Sequence, residues 1–368
     1  MSIVTARVLR ILKGESRLPL HYYLLAPLSW LYAAASVVRA ALYGLGVIKV
    51  RSLPCKVIAV GNLTAGGTGK TPAVIYIANL LASKGKNTAV VIRGYRGGAK
   101  GRVAVVSDGK DLLMEAGMAG DEACLLAKNL PGVPVVIGGD RYEAGMLAIK
   151  SFNPDVIILD DAYQHIALKR DLNILLMDAR RPFGNGFTLP MGYLREPKSA
   201  VKRADLAVLT RSDRASEPEL ADSAAKISSF AHGLPVIMAA HRPRTLYSLW
   251  GKGETALEYL GGKGVVTASG VAEPASFALI LEKLNAKITQ VFEYPDHHGY
   301  TTDDVAEMEA AAVKAGAFAV VTTEKDAVKL AGRKAAGVEF LVLGIGLEIT
   351  RGAETLDALI ADKIIHGQ

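Results

Sequence analysis

The sequence predicts an α/β fold in three parts: a hydrophobic helix, a larger domain on a mainly parallel sheet, and a second, smaller α/β domain. Three observations predict it. From Lys56 onward, continuous β-branched runs alternate with helical stretches, the pattern of strands buried on both faces between crossover helices. A glycine-rich turn follows the first of these runs directly and opens a helix. Ahead of both, Pro19 to Val38 contains no Lys, Arg, Asp or Glu.

The chain of 368 residues is half apolar with 21% charged residues, enough for two folded domains of ordinary size. Its two cysteines, Cys55 and Cys124, have no spacing that suggests a metal knuckle or a disulfide framework, and both read as small apolar residues of a reducing compartment. The net charge of +7 suits polyanionic or acidic-lipid partners. Because the basic residues are scattered and no aromatic-interleaved motif accompanies them, nucleic acid is not expected as a partner, and no obligate protein partner is inferred.

Residues 1–45 read as an N-terminal membrane-associating segment. Its charge-free core, PLHYYLLAPLSWLYAAASVV, is long enough to span a bilayer. Arg7, Arg10, Lys13 and Arg17 before it balance Arg39, Lys49, Arg51 and Lys56 after it, so the positive-inside rule assigns no orientation. Pro27, His21, Tyr22, Tyr23, Trp30 and Tyr32 suit the headgroup zone. Three readings stay open: interfacial insertion, a true span, and a hydrophobic helix packed on the body.

Residues 46–230 form the larger predicted domain. Strands are expected at KVIAV (56–60), NTAVVIR (87–93), RVAVVS (102–107), VPVVIG (133–138), VIILDD (156–161), NILLMD (173–178) and LAVLT (206–210), with a helix from the glycine-rich turn to about Ala82. RSDRASEPEL (211–220) reads as a loop entering a helix. Residues 231–368 form the smaller domain: LPVIMAA from Leu234, GVVTAS (264–269), KITQVFEY (287–294), AFAVVTT (317–323) and EFLVLG (339–344) as strands, with helices around Pro274–Leu284 and Asp303–Ala315.

The turn reads Gly66-Gly67-Thr68-Gly69-Lys70-Thr71. Phosphate oxygens need several backbone N–H donors in a small volume, and glycines let the backbone approach closely. The helix start adds its positive end. Lys70 would reach the β- and γ-phosphates of ATP and the Thr71 hydroxyl would join a Mg²⁺ shell. This is a P-loop, with Thr64 where the first glycine of the usual pattern stands. Asp160 and Asp161, at the tip of a neighbouring strand, occupy the place of the second metal anchor; the sequence does not say which lies nearer the ion.

Asp121-Glu122 opens a helix, where Asp121 on its own reads as an N-cap, with a base or metal-linked carboxylate as the alternative. Asp296-His297-His298 follows a strand of the smaller domain, where His297 is either a polar loop residue or an acid–base group. Arg93 and Tyr95-Arg96 (RGYRG), Arg141 (GGDR) and Arg195 (YLREP) are basic turn positions suited to anionic groups.

Together GNLTAGGTGKTP (61–72), RGYRG (93–97), AGDEA (119–123), LDDAYQH (159–165), RPFGNGFTLPMGYLREP (181–197), DHH (296–298) and VTTEKDAVKL (321–330) resemble the tetraacyldisaccharide 4′-kinases of lipid A synthesis. Thr64 belongs to that family's own pattern. The resemblance implies an enzyme at the cytosolic face of the bacterial inner membrane that transfers the γ-phosphate of ATP to the 4′-hydroxyl of a tetraacyldisaccharide 1-phosphate. It implies that Lys70 and Thr71 hold phosphate and Mg²⁺, that Asp160 and Asp161 supply the acidic metal site, and that Asp121 with His297 activates the sugar hydroxyl. Arg93, Arg141 and Arg195 stand as candidates for phosphate or acceptor contacts. A body kept beside ATP favours interfacial insertion of the first segment. The alternative is a membrane-recruited P-loop ATPase switch acting through partner binding, but such proteins carry an extra lysine where this sequence has Ala65.

Overall fold

The computed structural model describes all residues except 1–7, 9, 10, 13, 17, 18, 95–97, 99, 100, 252, 272, 273, 334–336 and 368. Tyr95 and Arg96 therefore lie outside the described residues. The strands are β1 (Lys56–Asn62), β2 (Thr88–Ile92), β3 (Ala104–Ser107), β4 (Val135–Ile137), β5 (Val156–Leu159), β6 (Leu172–Asp178), β7 (Leu206–Thr210), β8 (Val236–Ser248), β9 (Glu254–Thr255), β10 (Gly264–Ser269), β11 (Lys287–Glu293), β12 (Ala319–Thr323) and β13 (Glu339–Arg351). The helices are α1 (Ala26–Gly44), α2 (Lys70–Ser83), the single turn α3 (Ala116–Ala119), α4 (Asp121–Asn129), α5 (Arg141–Phe152), α6 (Glu217–Ser228), α7 (Pro274–Lys283), α8 (Thr302–Lys314), α9 (Glu324–Leu330) and α10 (Ala353–Ile360).

The strands form one sheet in the order β11-β10-β12-β13-β8-β7-β6-β1-β5-β2-β4-β3, with β9 on β8. Strands β1, β2, β4, β5, β6 and β7 are parallel, and β3 closes that side antiparallel. The predicted α/β class with a mainly parallel sheet is the observed one. β1 lies between β5 and β6: from β1 the chain builds β2 to β5 on one side and then crosses to β6 on the other, and ligands bind at such switch points, at the carboxyl ends of the strands. The core is built as the apolar runs require: Ile58, Val60, Val90, Ile158 and Ile174 are buried in one cluster with Val74, Ile77 and Leu81 of α2.

Two strands are longer than the sequence suggests. β8 begins parallel to β7, then runs on antiparallel to β13 from Met238 to Ser248. This ribbon joins the smaller group β10, β11, β12 and β13, whose strands are parallel to one another. Its end also returns to the first half, where Leu347, Leu356, Ile360 and Ile364 share the core cluster of the P-loop strand.

Segment α1, led by the 3₁₀ stretch Leu20–Leu25, lies along the body on one narrow line. Ser29 is buried and its hydroxyl meets Thr188 at 2.8 Å, Tyr32 donates to the Arg195 carbonyl at 3.0 Å, and Arg39 donates to the Gln164 carbonyl. Leu20 is 87% exposed, Leu24 81%, Leu31 68% and Trp30 66%, so much of the segment is uncovered apolar surface.

Candidate active site

The P-loop sits between β1 and α2. Gly66 and Gly69 both have positive φ, 108° and 82°, where an L side chain is strained. A Cβ on Gly66 would also strike the Tyr193 hydroxyl, and one on Gly69 the His241 ring. Asn62 ties the loop from within, donating to the Gly66 carbonyl at 3.1 Å and the Thr68 hydroxyl at 2.9 Å. Beside it runs the 185–195 segment: Ala65 N–H donates to the Tyr193 carbonyl and Arg195 N–H to the Leu63 carbonyl, both at 2.7 Å. That segment also carries Thr188 and Arg195, the contacts of α1, so the apolar helix is two contacts away from the phosphate loop.

Lys70, the first residue of α2, lies 3.6 Å from Asp161 Oδ1. Arg195 contacts both oxygens of the same carboxylate, at 2.9 and 3.1 Å. Burial works against the Asp161 charge, yet Lys70 and Arg195 hold its carboxyl below the ordinary value. Asp160 is treated differently. It is 1% exposed and its Oδ1 has no hydrogen-bond partner among the described residues. Burial, then Glu122 and Asp161, push its carboxyl up to about 7, with Lys70 pulling the other way.

These residues fit a magnesium ion. A buried, orphaned carboxylate oxygen is a poor solitary charge and a good cation ligand. Among the described residues no group of three or more acidic, His or Cys side chains is placed to hold a metal alone. Mg²⁺ instead characteristically takes one or two carboxylates plus substrate phosphates and water. Asp160 and the Thr71 hydroxyl would hold it, while Asp161 is engaged by the two cations.

Asp121 is the first residue of α4, behind Gly120, and His297 follows β11 with φ 65°. The structure brings them together across 176 positions of sequence: His297 Nδ1 is 3.2 Å from Asp121 Oδ2. The Asp121 side chain is 15% exposed and that of His297 19%; both line a small cleft with Ile92, Gly94 and Gly120. His298 does other work, pairing at 3.0 Å with Asp304 in the cap of α8.

The three arginines separate. Arg195 stands at the carboxylates beside Lys70. Arg93 is exposed at the end of β2. Arg141 is 3% exposed and donates to the Gly138 carbonyl at 2.7 Å; burial pulls its guanidinium down to about 10, with Asp160 opposing and Arg93 adding to the shift. Its charge is held in the core, within electrostatic reach of Asp160 and Asp161.

Several residues escaped the sequence reading. Arg211, at the end of β7 with φ 58°, donates to the Gly67 carbonyl at 2.6 Å and to Asp178 at 2.9 Å. With Asp178, Arg181 and Tyr193 it lines a cavity of about 70 Å³ on the open side of the P-loop. Gln164, quoted without a role, donates to the Asn62 carbonyl at 2.8 Å and braces the strand that feeds the loop. The only sequence signal for Arg211 is its place immediately after a predicted parallel strand, and every such strand end carries polar residues.

The family profile described as Tetraacyldisaccharide-1-P 4'-kinase matches residues 21–365. The tetraacyldisaccharide 4'-kinase of Pelobacter propionicus is 44% identical over 337 residues, covering 91% of each chain. That of Geobacter metallireducens is 46% identical over 308 residues, 83% of this chain and 88% of its own. Among solved structures, an "apo" form of LpxK from Aquifex aeolicus in complex with ATP superposes with a TM-score of 0.76 at 33% identity, covering 94% of this chain and 100% of that one. The P-loop, the acidic strand tip and the sheet order thus occur in a chain matched almost end to end, and the protein belongs to the tetraacyldisaccharide-1-P 4'-kinase family.

Proposed function

We propose that this cleft transfers the γ-phosphate of ATP to the 4′-hydroxyl of a tetraacyldisaccharide 1-phosphate in lipid A biosynthesis, at the cytosolic face of the bacterial inner membrane. The observation that carries the reading is the Asp121–His297 contact, an acid–base pair whose members come from the two halves of the chain. The lobes we assign are the membrane-associating segment 1–45, the P-loop lobe 46–230 and the smaller lobe 231–368, joined by the β8–β13 ribbon.

The residues divide the work as follows. The N–H groups of the loop and Lys70 bind the phosphates. Thr71 and Asp160 would hold Mg²⁺, which when bound would supply charge neutralisation to the phosphates. The carboxylate of Asp121 accepts Nδ1–H of His297, leaving Nε2 to take the proton of the sugar hydroxyl as its oxygen bonds to phosphorus and ADP departs. Asp296 Oδ2 lies 3.7 Å from Nε2. Arg195, and through the core Arg141, add positive charge near the transferring group, and Arg93, exposed at the end of β2, is available to the acceptor.

The division between the aspartates is testable. Asp160→Asn should raise the Mg²⁺ concentration for half-maximal turnover more than Asp161→Asn does; a Mg²⁺ titration that reverses the order would contradict the assignment.

For the membrane, α1 supports insertion into the interface. Ser29, Tyr32 and Arg39 fasten it to the body over ten residues, about 15 Å of helix, so a span would drag polar protein into the hydrocarbon. Among the described residues it is the one helix long and apolar enough to cross. Changing Leu24, Leu28 and Leu31 to serine leaves the three fastenings in place. It should lower binding to anionic phospholipid vesicles at least about tenfold, since each buried leucine is worth roughly 1.5–3 kcal/mol, while the KM for ATP holds. Unchanged vesicle sedimentation would count against the anchor.

A further inference from the structure

The helix α9 lies in the smaller half and presents two lysines one turn apart, each shared between the halves. Lys325 Nζ is 2.8 Å from Asp296 Oδ1 and 3.7 Å from Glu122 Oε1. Lys329 Nζ is 3.1 Å from Asp326 Oδ1 and 3.8 Å from Asp121 Oδ2, and the ring of Tyr300 lies 5.3 Å from it. Asp121 and Glu122 are adjacent at the start of α4, and lysines at i and i+4 lie on one helix face, so the two pairs form parallel rungs across the cleft.

We propose that Lys329 is a positioning residue for the acid–base pair, acting through Asp121. Its own place is set first. Asp326 is fully buried, accepting from Gly270 N–H at 2.9 Å and from the Thr323 hydroxyl at 2.7 Å through Oδ2, which leaves Oδ1 to orient the ammonium. The Lys329 side chain is only 10% exposed, a cation held between two carboxylates away from bulk screening. From there it faces Asp121 Oδ2, the oxygen that His297 Nδ1 also meets.

That shared oxygen matters chemically. An ionised carboxylate only accepts, so His297 must present Nδ1–H to it and keep Nε2 free of a proton. A protonated carboxyl could donate to Nδ1 instead, placing the ring proton on Nε2, where it would block proton uptake from the hydroxyl. An ammonium 3.8 Å from Oδ2 restrains the carboxylate in the orientation that accepts Nδ1–H. The proposal rests on the reading of Asp121 and His297 as the group that activates the hydroxyl. It adds a cation that enforces the productive tautomer only when α9 and α4 are docked.

The test uses the full chain with its lipid acceptor in mixed micelles. Lys329→Met should lower kcat by roughly 10- to 100-fold, part of the acid–base contribution, with the KM for ATP within about twofold of the parent. Lys329→Arg, which keeps the charge, should recover most of that loss. In an Asp121→Asn background Lys329→Met should cost less than about threefold more, because the group it acts on is already gone. A raised KM with unchanged kcat, an arginine variant as slow as the methionine one, or the full loss repeated on Asp121→Asn would each overturn the proposal. Asp121→Asn turning over at the parental rate would overturn the acid–base reading with it, whereas an unimpaired Lys329→Met enzyme beside a crippled Asp121→Asn one would remove the lysine alone.

Discussion

Lys70→Ala is expected to lower phosphoryl transfer by roughly 10³-fold or more while the fold persists. Charge accumulates on the transferring group and the β,γ-bridging oxygen, and a fixed ammonium in a partly dry site is worth far more there than in water. The Lys70 side chain is 13% exposed and pairs with Asp161 at 3.6 Å. Arg195 remains on the same carboxylate after the substitution, so Asp161 keeps a cationic partner and stability should change little. Thermal unfolding near that of the parent, with transfer reduced in single-turnover assays, is the predicted pair of results. Transfer within about tenfold of the parent would sink the P-loop assignment.

Asp121→Ala and His297→Ala should each lower turnover by roughly 10²–10⁴-fold, the range of general acid–base catalysis, with ATP affinity nearly unchanged. The double variant should be little worse than the worse single, since each group acts through the 3.2 Å contact with the other. Multiplicative losses would mean that the two act separately. An unimpaired His297→Ala enzyme would take the histidine out of the mechanism.

Much of the fold was legible because its strands are buried on both faces. The runs at 57–60, 156–159 and 206–209 are continuously apolar, and the observed β1, β5 and β7 coincide with them within two residues. The reading failed where a strand leaves that environment. Past Ala240, β8 continues as HRPRTLYS with alternating exposure, and its polar positions and Pro243 look like a loop. The ribbon stays a strand because β13 pairs with it, a partner about a hundred residues away.

The site follows the same division. The phosphate loop is contiguous, so its spacing speaks for itself. Asp121 and His297 are local ambiguities, a cap and a loop histidine, until the chain folds them against each other; only the family resemblance marked them beforehand. The two aspartates look alike in VIILDD, but the left-handed turn at Asp161 (φ 48°) turns one toward Lys70 and Arg195 and leaves Asp160 buried. Arg211 and Lys329 carry no motif that isolates them, because their significance comes from carbonyls and carboxylates far along the chain.

The measurement that bears most directly on the account follows the label from γ-³²P-ATP in the presence of the enzyme, Mg²⁺ and a tetraacyldisaccharide 1-phosphate. The account predicts label on the lipid, at the 4′ position, with lipid phosphate formed in step with ADP. Label released as free phosphate, or retained on ATP while the lipid stays unmodified, would contradict it.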